Sequence, residues 1–545
     1  MEIEKILIKN YKIYQNLNID NLKKNNILIG NNGSGKSTFL QALFLTLTGR
    51  LDSQTIDHSI SANLFTKQVR QKYIHEISEG KKPILPKILI EIYFKDEDKF
   101  AHYKGQENTL NVDLPGISMC IDFDEKFESD YQDRLKTDDQ EFVIHDIPTE
   151  YYSVQRKYFN GDWVIQRKNP FKVFFVDGTK KSYANYIGRF VYDSLSSMLT
   201  TTEISQIKSV YSGIRQNMKN HKILNDLNTE KKDSLILADS QLSITIKDSL
   251  PDDWLNEITV NVNEHPFDNI GFGLQKMIEM ELAVEKNSEN DGVLLFEEPE
   301  NNLSYSNMSK LINLIEKNEN KQKFISTHSS FVANKIGLND LMLCENGAIT
   351  PFGSIPSGSF KYFKKLPGYN TLRLLLSEKV VLVEGPTDEL VFNKAFMDQE
   401  GTLPINQGID VIVVDSLAFK RYLDIALQIH KSVAVIIDND GDIDSLLTRY
   451  KDYVKDDLIH LFYEKDEKLK TIEPSFIHAN FVAGKISTLK EIINISGHIT
   501  LRDDNDLLNY MTNNKAEWAL RIFDSDRVVS YPEYINEAIE YVKIK

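Results

Sequence analysis

The stretch ILIGNNGSGKSTFL, from Ile27 to Leu40, carries the residues most clearly suited to chemistry. It follows the spacing G-x-x-x-x-G-K-[ST], in which a flexible loop directs backbone N–H groups at phosphate oxygens. Lys36 is expected to reach the β- and γ-phosphates, and Ser37 to place its hydroxyl on Mg²⁺. An ordinary glycine-rich turn is the alternative interpretation. The residues expected to bind ATP are Gly30, Asn31, Asn32, Gly33, Ser34, Gly35, Lys36, Ser37 and Thr38.

A pair of glutamates follows an apolar run much later in the chain. The run from Val293 to Phe296 predicts a buried parallel strand, and it ends in Glu297, Glu298 and Pro299. Carboxylates at the carboxyl end of such a strand can hold Mg²⁺ and water. We therefore expect Glu297 near the ion and Glu298 in position to orient or deprotonate the attacking water. A surface acidic turn is the alternative.

Two further features extend this predicted nucleotide site. The sequence KQKFISTHSSFV places His328 after a short strand around Phe324 and Ile325, where a γ-phosphate sensor is expected. A structural histidine is the alternative. Gly271 and Gly273 stand at the start of an amphipathic helix, and the positive N-terminal end of that helix is expected to face phosphate across a dimer.

A second group of acids follows two apolar runs near the end of the chain. EKVVLVEGPTDELVF predicts a strand before Glu384 and a helix whose first turn holds Asp388; SVAVIIDNDGDIDSL predicts a strand before Asp438 and Asp440. Parallel strands bring their carboxyl ends to one edge of a sheet, so these acids can converge. Oxygen ligands alone suit Mg²⁺ or Mn²⁺. The D-x-D-G-D-x-D run weakly matches a calcium loop, but Gly441 comes too early and a strand precedes it.

The elements that must position these residues alternate between apolar strands and helical periods, which predicts an α/β protein. A segment rich in Gly, Pro and Ser, from Glu345 to Phe360, predicts a linker. Apolar residues at helical spacing between about 185 and 250 predict a helical insertion that helps dimerisation; an ordinary helical subdomain is the alternative. The predicted boundaries are 1–184 and 251–350 for the first domain, 185–250 for the insertion, 351–375 for the linker and 376–545 for the second domain.

Composition bounds the class of protein. A chain of 545 residues with 41% apolar content can form several domains with large cores. The net charge of −16 argues against a surface coated in nucleic acid, although it permits a local basic groove. Two cysteines are too few for a disulfide framework or a Cys-rich zinc site. Neither a membrane helix nor a signal peptide is predicted, so we expect a cytoplasmic protein with no membrane partner.

Several of these motifs together resemble a known ATPase group. They are the N-terminal IEKILIKNYKIYQNLNID, the loop ILIGNNGSGKSTFLQALF, NIGFGLQKM, LLFEEPENNLS and FISTHSS, and the group is the ABC-type ATPase head of SMC and RecF proteins. Such heads sandwich ATP between two copies, which implies that IGFGLQKM contacts nucleotide bound to a partner chain. The stretch departs from a full LSGGQ signature, and Ser304 stands where relatives often carry histidine.

The E-G-x-x-D and D-x-D patterns resemble the Toprim fold of topoisomerases, primases and certain nucleases. An ABC-type head followed by a Toprim domain is similar to the architecture of the OLD (overcoming lysogenization defect) family of nucleases. The resemblance implies an α/β fold class in which an SMC/RecF-like P-loop ATPase domain with a helical insertion precedes a Toprim α/β domain. Asp442 has no secure counterpart in that pattern. The site residues implied by the resemblance are Glu384, Asp388, Asp438, Asp440, Glu473 and Lys515.

The same resemblance implies an ATP-binding, metal-dependent DNA endonuclease that is a homodimer or tetramer and acts in defence against phage. Two divalent ions would activate water and stabilise the leaving 3′-oxygen, while Lys515 would neutralise charge on the phosphorane. A solvated helix lysine is the alternative for Lys515. A helicase-like subunit is an expected partner protein. The rival interpretations are a non-catalytic, ATP-driven DNA-binding or repair factor and, more weakly, a primase-like polymerase, which would need a zinc module that the sequence lacks.

Overall fold

The computed structural model describes residues 2–51, 54–79, 81, 83–135, 146–165, 169–179, 200–230, 236–237, 240–241, 245, 261–285, 292–317, 321–353, 355–366, 368–414, 418–494 and 502–544. Internal contacts divide the chain into two compact units. The first comprises Met1–Asn26, Gly35–Thr327 and Asn346–Ala348, and the second comprises Ile27–Ser34, His328–Glu345 and Ile349–Lys545. None of the helices in the described residues combines the length and apolar character needed to cross a bilayer.

The described strands are β1 (Ile3–Tyr11), β2 (Tyr14–Ile19), β3 (Asn25–Ile29), β4 (Arg50–Leu51), β5 (Gln54–Thr55), β6 (Ile88–Phe94), β7 (Lys104–Gly105), β8 (Leu114–Phe123), β9 (Tyr152–Tyr158), β10 (Lys172–Asp177), β11 (Ile236–Leu237), β12 (Ser240–Gln241), β13 (Asn261–Val262), β14 (His265–Pro266), β15 (Gly292–Glu297), β16 (Gln322–Ser326), β17 (Leu341–Glu345), β18 (Ala348–Pro351), β19 (Lys379–Val383), β20 (Ile409–Val413), β21 (Val433–Ile436) and β22 (Ile459–Phe462). The described α-helices are α1 (Lys36–Thr48), α2 (Lys67–Ser78), α3 (Glu128–Leu135), α4 (Thr201–Lys219), α5 (Lys222–Glu230), α6 (Phe272–Glu285), α7 (Tyr305–Lys317), α8 (Ser330–Ile336), α9 (Ser357–Lys365), α10 (Thr371–Leu376), α11 (Pro386–Glu400), α12 (Phe419–Gln428), α13 (Ile443–Tyr450), α14 (Ile472–Val482), α15 (Ile486–Ile493), α16 (Asp504–Asn513), α17 (Lys515–Phe523) and α18 (Glu533–Ile544).

An antiparallel sheet in the first unit carries the N-terminal strands. Its order is β2-β1-β6-β8-β7, and β9 also pairs with β8. Ile6 and Ile8 of β1 are fully buried and lie opposite Ile92 and Ile90 of β6, so one face of this sheet supplies a core of β-branched side chains. The sheet packs against α1, the helix that follows the glycine-rich loop.

Parallel strands form the framework of the predicted nucleotide site. In the first unit β10, β15 and β16 run side by side and in parallel, and the four residues from Val293 to Phe296 are fully buried. The predicted strands at 293–296 and around 324–325 are therefore confirmed. In the second unit β3 pairs in parallel with β17. Continuous apolar runs suit these strands because both faces of a parallel sheet are covered.

The second unit also contains a four-stranded parallel sheet in the order β20-β19-β21-β22. Phe392 and Phe396 of α11, with Ile535 and Ile539 of α18, pack in one buried cluster with the strand residue Val381. A second cluster surrounds the fully buried Trp518 of α17. All four strands point the same way, so their carboxyl ends share one edge of the sheet.

The predicted helical insertion, 185–250, lies partly outside the described residues, which omit 185–199, 231–235, 238–239, 242–244 and 246–250. Within the described part, α4 begins with a capping box in which the Glu203 N–H donates to the Thr200 hydroxyl and the Thr200 N–H donates to the Glu203 carboxylate. The segment predicted as a linker, 351–375, contains α9 and most of α10. The dimerisation role and the domain boundaries stay predictions.

Candidate functional site

The first half of the glycine-rich loop, Gly30 to Ser34, lies in the second unit and directly follows β3. A Cβ at Gly30 would come within 2.3 Å of the Cys344 carbonyl oxygen, so a larger residue does not fit there. The Ser34 N–H donates to the Asn31 carbonyl at 3.1 Å, which closes a tight turn. The buried Ser34 hydroxyl has no hydrogen-bond partner among the described residues. A buried polar atom without a partner fits a loop that receives phosphate oxygens.

The second half of the loop belongs to the first unit and leads into α1, which begins at Lys36 as predicted. Gly35 adopts a φ of 110°, and the buried Tyr14 hydroxyl donates to its carbonyl at 2.9 Å. The Phe39 N–H donates to the same carbonyl at 2.9 Å and so closes the first turn of the helix. Ser37 and Thr38 follow in that turn, where the positive end of the helix dipole favours an anion.

The predicted glutamates lie at the carboxyl edge of the parallel strands in the first unit. Glu297 is the last residue of β15, is buried, and lies level with Asp177 of β10 and Ser326 of β16. Glu298 follows with a φ of 43°, and its N–H donates to the Ser326 carbonyl at 2.9 Å. Its carboxylate accepts from the Asn301 side chain at 2.6 Å. These bonds fix the backbone of both glutamates at the sheet edge, where water and an ion are expected.

His328 and the two glycines at the start of α6 lie at the positions that the sequence predicts for them. His328 is exposed and stands in the short segment between β16 and α8. Gly271 directly precedes α6, and Gly273 is in its first turn. A Cβ at Gly273 would lie 2.5 Å from the Asn302 carbonyl oxygen, so α6 begins in close contact with the segment after Glu298. Roles for these residues in γ-phosphate sensing and in trans remain predictions.

The first pair of acids in the second unit lies where β19 meets α11. Glu384 follows the strand directly, and Pro386 starts the helix, as its fixed φ allows. The Asp388 carboxylate accepts from the Gly385 N–H at 2.9 Å, which satisfies one of the free amides at the start of α11. Asp388 is buried, so this carboxylate is held away from bulk water next to the strand end.

The second pair of acids follows β21, the neighbour of β19 in the sheet. Because β19 and β21 pair in parallel, Glu384 and Asp438 follow neighbouring strand ends, and the Asp438 backbone lowers the pKa of Glu384. Asp440 is exposed and adopts a φ of 52°, in a turn held by the buried Asn439 side chain, which donates to the Glu464 carbonyl at 2.7 Å. Asp442 accepts from the Ser445 N–H at 2.9 Å and is the N-cap of α13. Asp442 thus has a structural contact of its own.

Glu473 supplies a further carboxylate from the first turn of α14. It is 1% exposed, and the Thr471 hydroxyl donates to one of its oxygens at 2.6 Å. Its other oxygen is buried and has no hydrogen-bond partner among the described residues. A buried carboxylate oxygen left unsatisfied is costly, so this atom is suited to an additional ligand.

The pKa values of these acids indicate that they act on one another. Burial, the main cause, and the charges of Asp388, Glu384, Glu473 and Asp440 together raise the pKa of Asp438 to about 8. Burial, with Glu384 and Glu473, also raises the pKa of Asp388 to about 7. The pKa of Glu384 is raised by burial and by Asp440. Several desolvated carboxylates facing one another repel, and a cation between them would relieve that repulsion.

Two cationic side chains oppose the rise of the pKa of Glu384. The charges of Lys515 and Arg449 lower its pKa, although burial and Asp440 outweigh them. Lys515 is exposed and is the first residue of α17. Because its charge acts on Glu384, this predicted residue lies near the acids of the second unit. These acids are called the acid edge below, and they are Glu384, Asp388, Asp438, Asp440 and Glu473. The buried Tyr534 also lies close, because Asp388 and Asp438 contribute to the rise of its pKa after burial, the main cause.

The donor set fits a hard divalent cation, since it consists of carboxylate oxygens, one of them unsatisfied. In the part of the chain that the structure describes, however, no three His, Cys, Asp or Glu side chains are close enough to hold a metal ion as they stand. The acids are therefore gathered at one edge without forming a closed coordination shell. The residues available for an ion are Glu384, Asp388, Asp438, Asp440 and Glu473.

Sequence reasoning missed three residues near these two sites. Asp177 ends the apolar strand KVFFVD, which carries the same signal as the strand before Glu297. Arg449 and Lys470 lie close to the acids of the second unit, but each stands alone in a polar stretch that has no recognisable spacing.

In comparisons with known proteins, the parts of the chain that carry the two candidate sites match two different domain families. Residues 1–333 match the AAA ATPase domain family, and residues 375–440 match the family described as overcoming lysogenization defect protein-like, TOPRIM domain. Endonuclease GajA of Bacillus cereus (strain VD045) is 24% identical over 470 residues, covering 82% of this chain and 76% of that protein.

Solved structures with similar chains have low TM-scores. The SMC head bound to the C-winged helix domain of ScpA has a TM-score of 0.32 and 16% identity, and it covers 64% of this chain and 96% of that chain. RecF with ATP has a TM-score of 0.32 and 12% identity, with 64% and 97% covered. The C-terminal region of the Xanthomonas campestris pv. campestris OLD protein has a TM-score of 0.24 and 17% identity, with 31% and 93% covered. The assignment therefore depends on the sequence matches. The match to the AAA ATPase domain family covers 333 of the 545 residues, so the chain belongs to that family, and it carries an OLD-like TOPRIM domain after the ATPase domain.

Proposed function

We propose that this protein is a DNA endonuclease that cleaves phosphodiester bonds at the TOPRIM acids with divalent metal ions, under the control of ATP bound to its ATPase domain. The observation that carries the proposal is the acid edge itself. Carboxylates from two neighbouring strand ends and from α14 lie close enough to act on the pKa of Asp438, and one buried oxygen of Glu473 has no partner among the described residues. Such an edge is suited to divalent ions and to a phosphate bound on them.

The residues divide the chemistry between them. Glu384, Asp388, Asp438, Asp440 and Glu473 would hold Mg²⁺ or Mn²⁺. When bound, the ions would lower the pKa of a water molecule and stabilise charge on the leaving 3′-oxygen. The Thr471 hydroxyl orients Glu473, and the Gly385 N–H orients Asp388, so two carboxylates are fixed before DNA arrives. Lys515 would place its positive charge beside the phosphate as charge develops there.

The ATPase domain would bind ATP through the amides of the glycine-rich loop, with Lys36 on the terminal phosphates and Ser37 on Mg²⁺. Glu297 would lie near that ion, Glu298 would orient water, and His328 would sense the γ-phosphate. ATP occupancy would then control cleavage. This control would act at a distance, because the two chemistries use separate residues.

The similarity to endonuclease GajA supports a proposal for the substrate and the biological role of this protein. Endonuclease GajA bears the name of a nuclease, and its similarity covers most of this chain. We infer that the substrate here is DNA, that the protein works in the cytoplasm as a homodimer or tetramer without a membrane, and that it defends against phage. A helicase-like protein is the partner that we would seek first.

One observation favours a second candidate, an ATP-dependent DNA-binding or repair factor without nuclease activity. Among the described residues no three acidic, histidine or cysteine side chains form a ready metal site. A TOPRIM domain of this kind would serve only to dock partners. The two candidates differ in whether purified protein cuts DNA.

The test is a plasmid cleavage assay on the wild-type protein. Supercoiled DNA is incubated with Mg²⁺, Mn²⁺ or EDTA, each with ATP, with ADP and without nucleotide, and with a candidate partner in a parallel series. We expect cleavage that needs the metal and changes with the nucleotide. Cleavage that persists in EDTA would contradict the metal site, and intact DNA in every condition would favour the second candidate.

A further inference from the structure

Two basic side chains at the edge of the TOPRIM acids are not used by the proposed chemistry. We propose that Lys470 and Arg449 bind backbone phosphates of the DNA strand beside the bond that is cut. This inference depends on the proposed function, because it names residues that hold the substrate of that same site. Lys470 and Arg449 together are called the basic rim below.

Lys470 lies directly over the turn that carries Asp440. Its carbonyl accepts from the Asp440 N–H at 3.2 Å, and a Cβ built on Gly441 would come within 3.0 Å of its Cε. The aliphatic stem of Lys470 therefore covers Gly441, beside the exposed Asp440. Within the described residues the Lys470 ammonium forms no ion pair and no hydrogen bond, and the side chain is exposed. The charge is thus available to an anion from outside the chain.

The segment that carries Lys470 is tied to the acidic turn by several hydrogen bonds. Besides its bond to Glu464, the Asn439 side chain donates to the Asp466 carbonyl at 3.2 Å, and it accepts from the Gly441 N–H at 2.8 Å. The Ile443 N–H donates to the Glu467 carboxylate at 3.1 Å. These bonds hold the backbone around Lys470 in place, so binding a phosphate costs little ordering of the chain.

Arg449 belongs to the helix that starts immediately after the same turn. Asp442 caps α13 at its N-terminus, and Arg449 lies exposed in the last turn of that helix. Its charge acts on Glu384, which follows β19. Arg449 is therefore close enough to act on the acids at the ends of β19 and β21, and its exposed guanidinium offers N–H donors to phosphate.

The charge balance favours a polyanion as the ligand. The chain carries a net charge of −16, yet exposed cations lie beside this group of acids. Once metal ions offset the acids, the basic rim adds positive charge, and DNA phosphates supply the complementary anions. The competing explanation is that Lys470 and Arg449 only offset the carboxylates within the protein. In that case their removal would change metal affinity and leave DNA binding unaltered.

The experiment measures how DNA affinity depends on salt. Full-length protein with Asp438→Ala, which should bind DNA without cutting it, is compared with the same protein carrying Lys470→Gln, Lys470→Arg or Arg449→Gln. Fluorescence anisotropy with a labelled duplex in Mg²⁺ gives the affinity across a series of KCl concentrations. The control is Lys361→Gln on α9, an exposed lysine of the same unit whose helix packs on α8 and α12. Lys361→Gln changes the net charge by the same amount as Lys470→Gln or Arg449→Gln.

We expect Lys470→Gln and Arg449→Gln each to weaken binding and to reduce the slope of log affinity against log salt by about 1. Lys470→Arg and Lys361→Gln should match the parent protein. In the cleaving wild-type background the two Gln variants should raise KM more than they lower kcat. An unchanged slope and KM, or a change in metal affinity alone, would overturn the inference. Failure of the wild type to cut DNA would instead count against the proposed function, since the anisotropy arm reports on binding alone.

Discussion

At the scale of single residues, Glu473 offers a sharp test of the acid edge. Only one of its two buried oxygens has a hydrogen-bond partner among the described residues, and neighbouring carboxylates lie close. Glu473→Gln keeps the size of the side chain and removes its charge. We expect the affinity for Mn²⁺, measured by titration calorimetry, to fall by at least about tenfold.

The same variant has an opposite expected effect on stability without metal. A buried, partly unsatisfied carboxylate next to other carboxylates destabilises the fold, so Glu473→Gln should melt in EDTA at the same temperature as the wild type or higher. Asp444→Asn, at an exposed acid on α13, is the matched control and should leave metal affinity unchanged. Equal Mn²⁺ affinity in Glu473→Gln and the wild type would show that Glu473 is not a ligand.

Lys36 is the residue-scale test of the ATPase domain. It begins α1 immediately after the glycine-rich loop, and it is buried. Lys36→Ala removes the ammonium expected on the terminal phosphates, so ATP binding should fall below detection by calorimetry, while far-UV circular dichroism stays that of a folded protein. Lys310→Ala, at an exposed lysine of α7, should bind ATP normally. Undiminished ATP affinity in Lys36→Ala would be incompatible with the assigned role.

At the scale of elements, the start of α6 depends on close contact with another backbone segment. A Cβ at Gly273 would lie 2.5 Å from the Asn302 carbonyl oxygen, whereas a Cβ at Gly271 would meet nothing within 4 Å. Gly273→Ala must therefore push α6 away from that segment, at a cost of about 1–3 kcal/mol. A thermal scan should show the ATPase transition lowered by about 2–4 °C for each kcal/mol, with Gly271→Ala close to the wild type. Equal melting of the two variants would contradict the close packing.

The sequence was informative where local chemistry and burial coincide. The strand from Val293 to Phe296 was predictable because four apolar residues in a row need cover on both faces, and the acids mark its end. The α11 start was predictable from Pro386 and Asp388, which suit the first turn of a helix. The same reasoning identified the acid edge, because neighbouring parallel strands share one carboxyl edge.

Features that depend on long-range pairing could not be predicted in this way. Asp177 lies beside Glu297 only because β10 pairs with β15, a contact between distant parts of the chain. Lys470 reaches the acidic turn because Asn439 binds a later loop, and no spacing rule links these positions. The segment 351–375 looked like a linker because of its Gly, Pro and Ser content, although Phe363 is fully buried within α9.

At the scale of the whole molecule, the two proposed chemistries use separate residues of one chain. The proposed ATP site depends on the glycine-rich loop and the strand that ends at Glu297, while the proposed cutting site depends on the acids at the ends of β19 and β21. Communication between them would then be a matter of conformational equilibrium, because none of the residues proposed for one site is proposed for the other. A mutation in either site should therefore leave binding at the other measurable.

The most direct measurement is Mg²⁺-dependent plasmid cleavage by Asp438→Ala, with ATP binding determined by calorimetry on the same preparation. Asp438 follows β21 and lies among four other carboxylates, so its loss should weaken the ion site and leave the DNA phosphate unpolarised. Cleavage should disappear while ATP binds as in the wild type, and the control Asp444→Ala should retain both activities. Metal-dependent cleavage retained by Asp438→Ala would show that DNA is not cut at these acids.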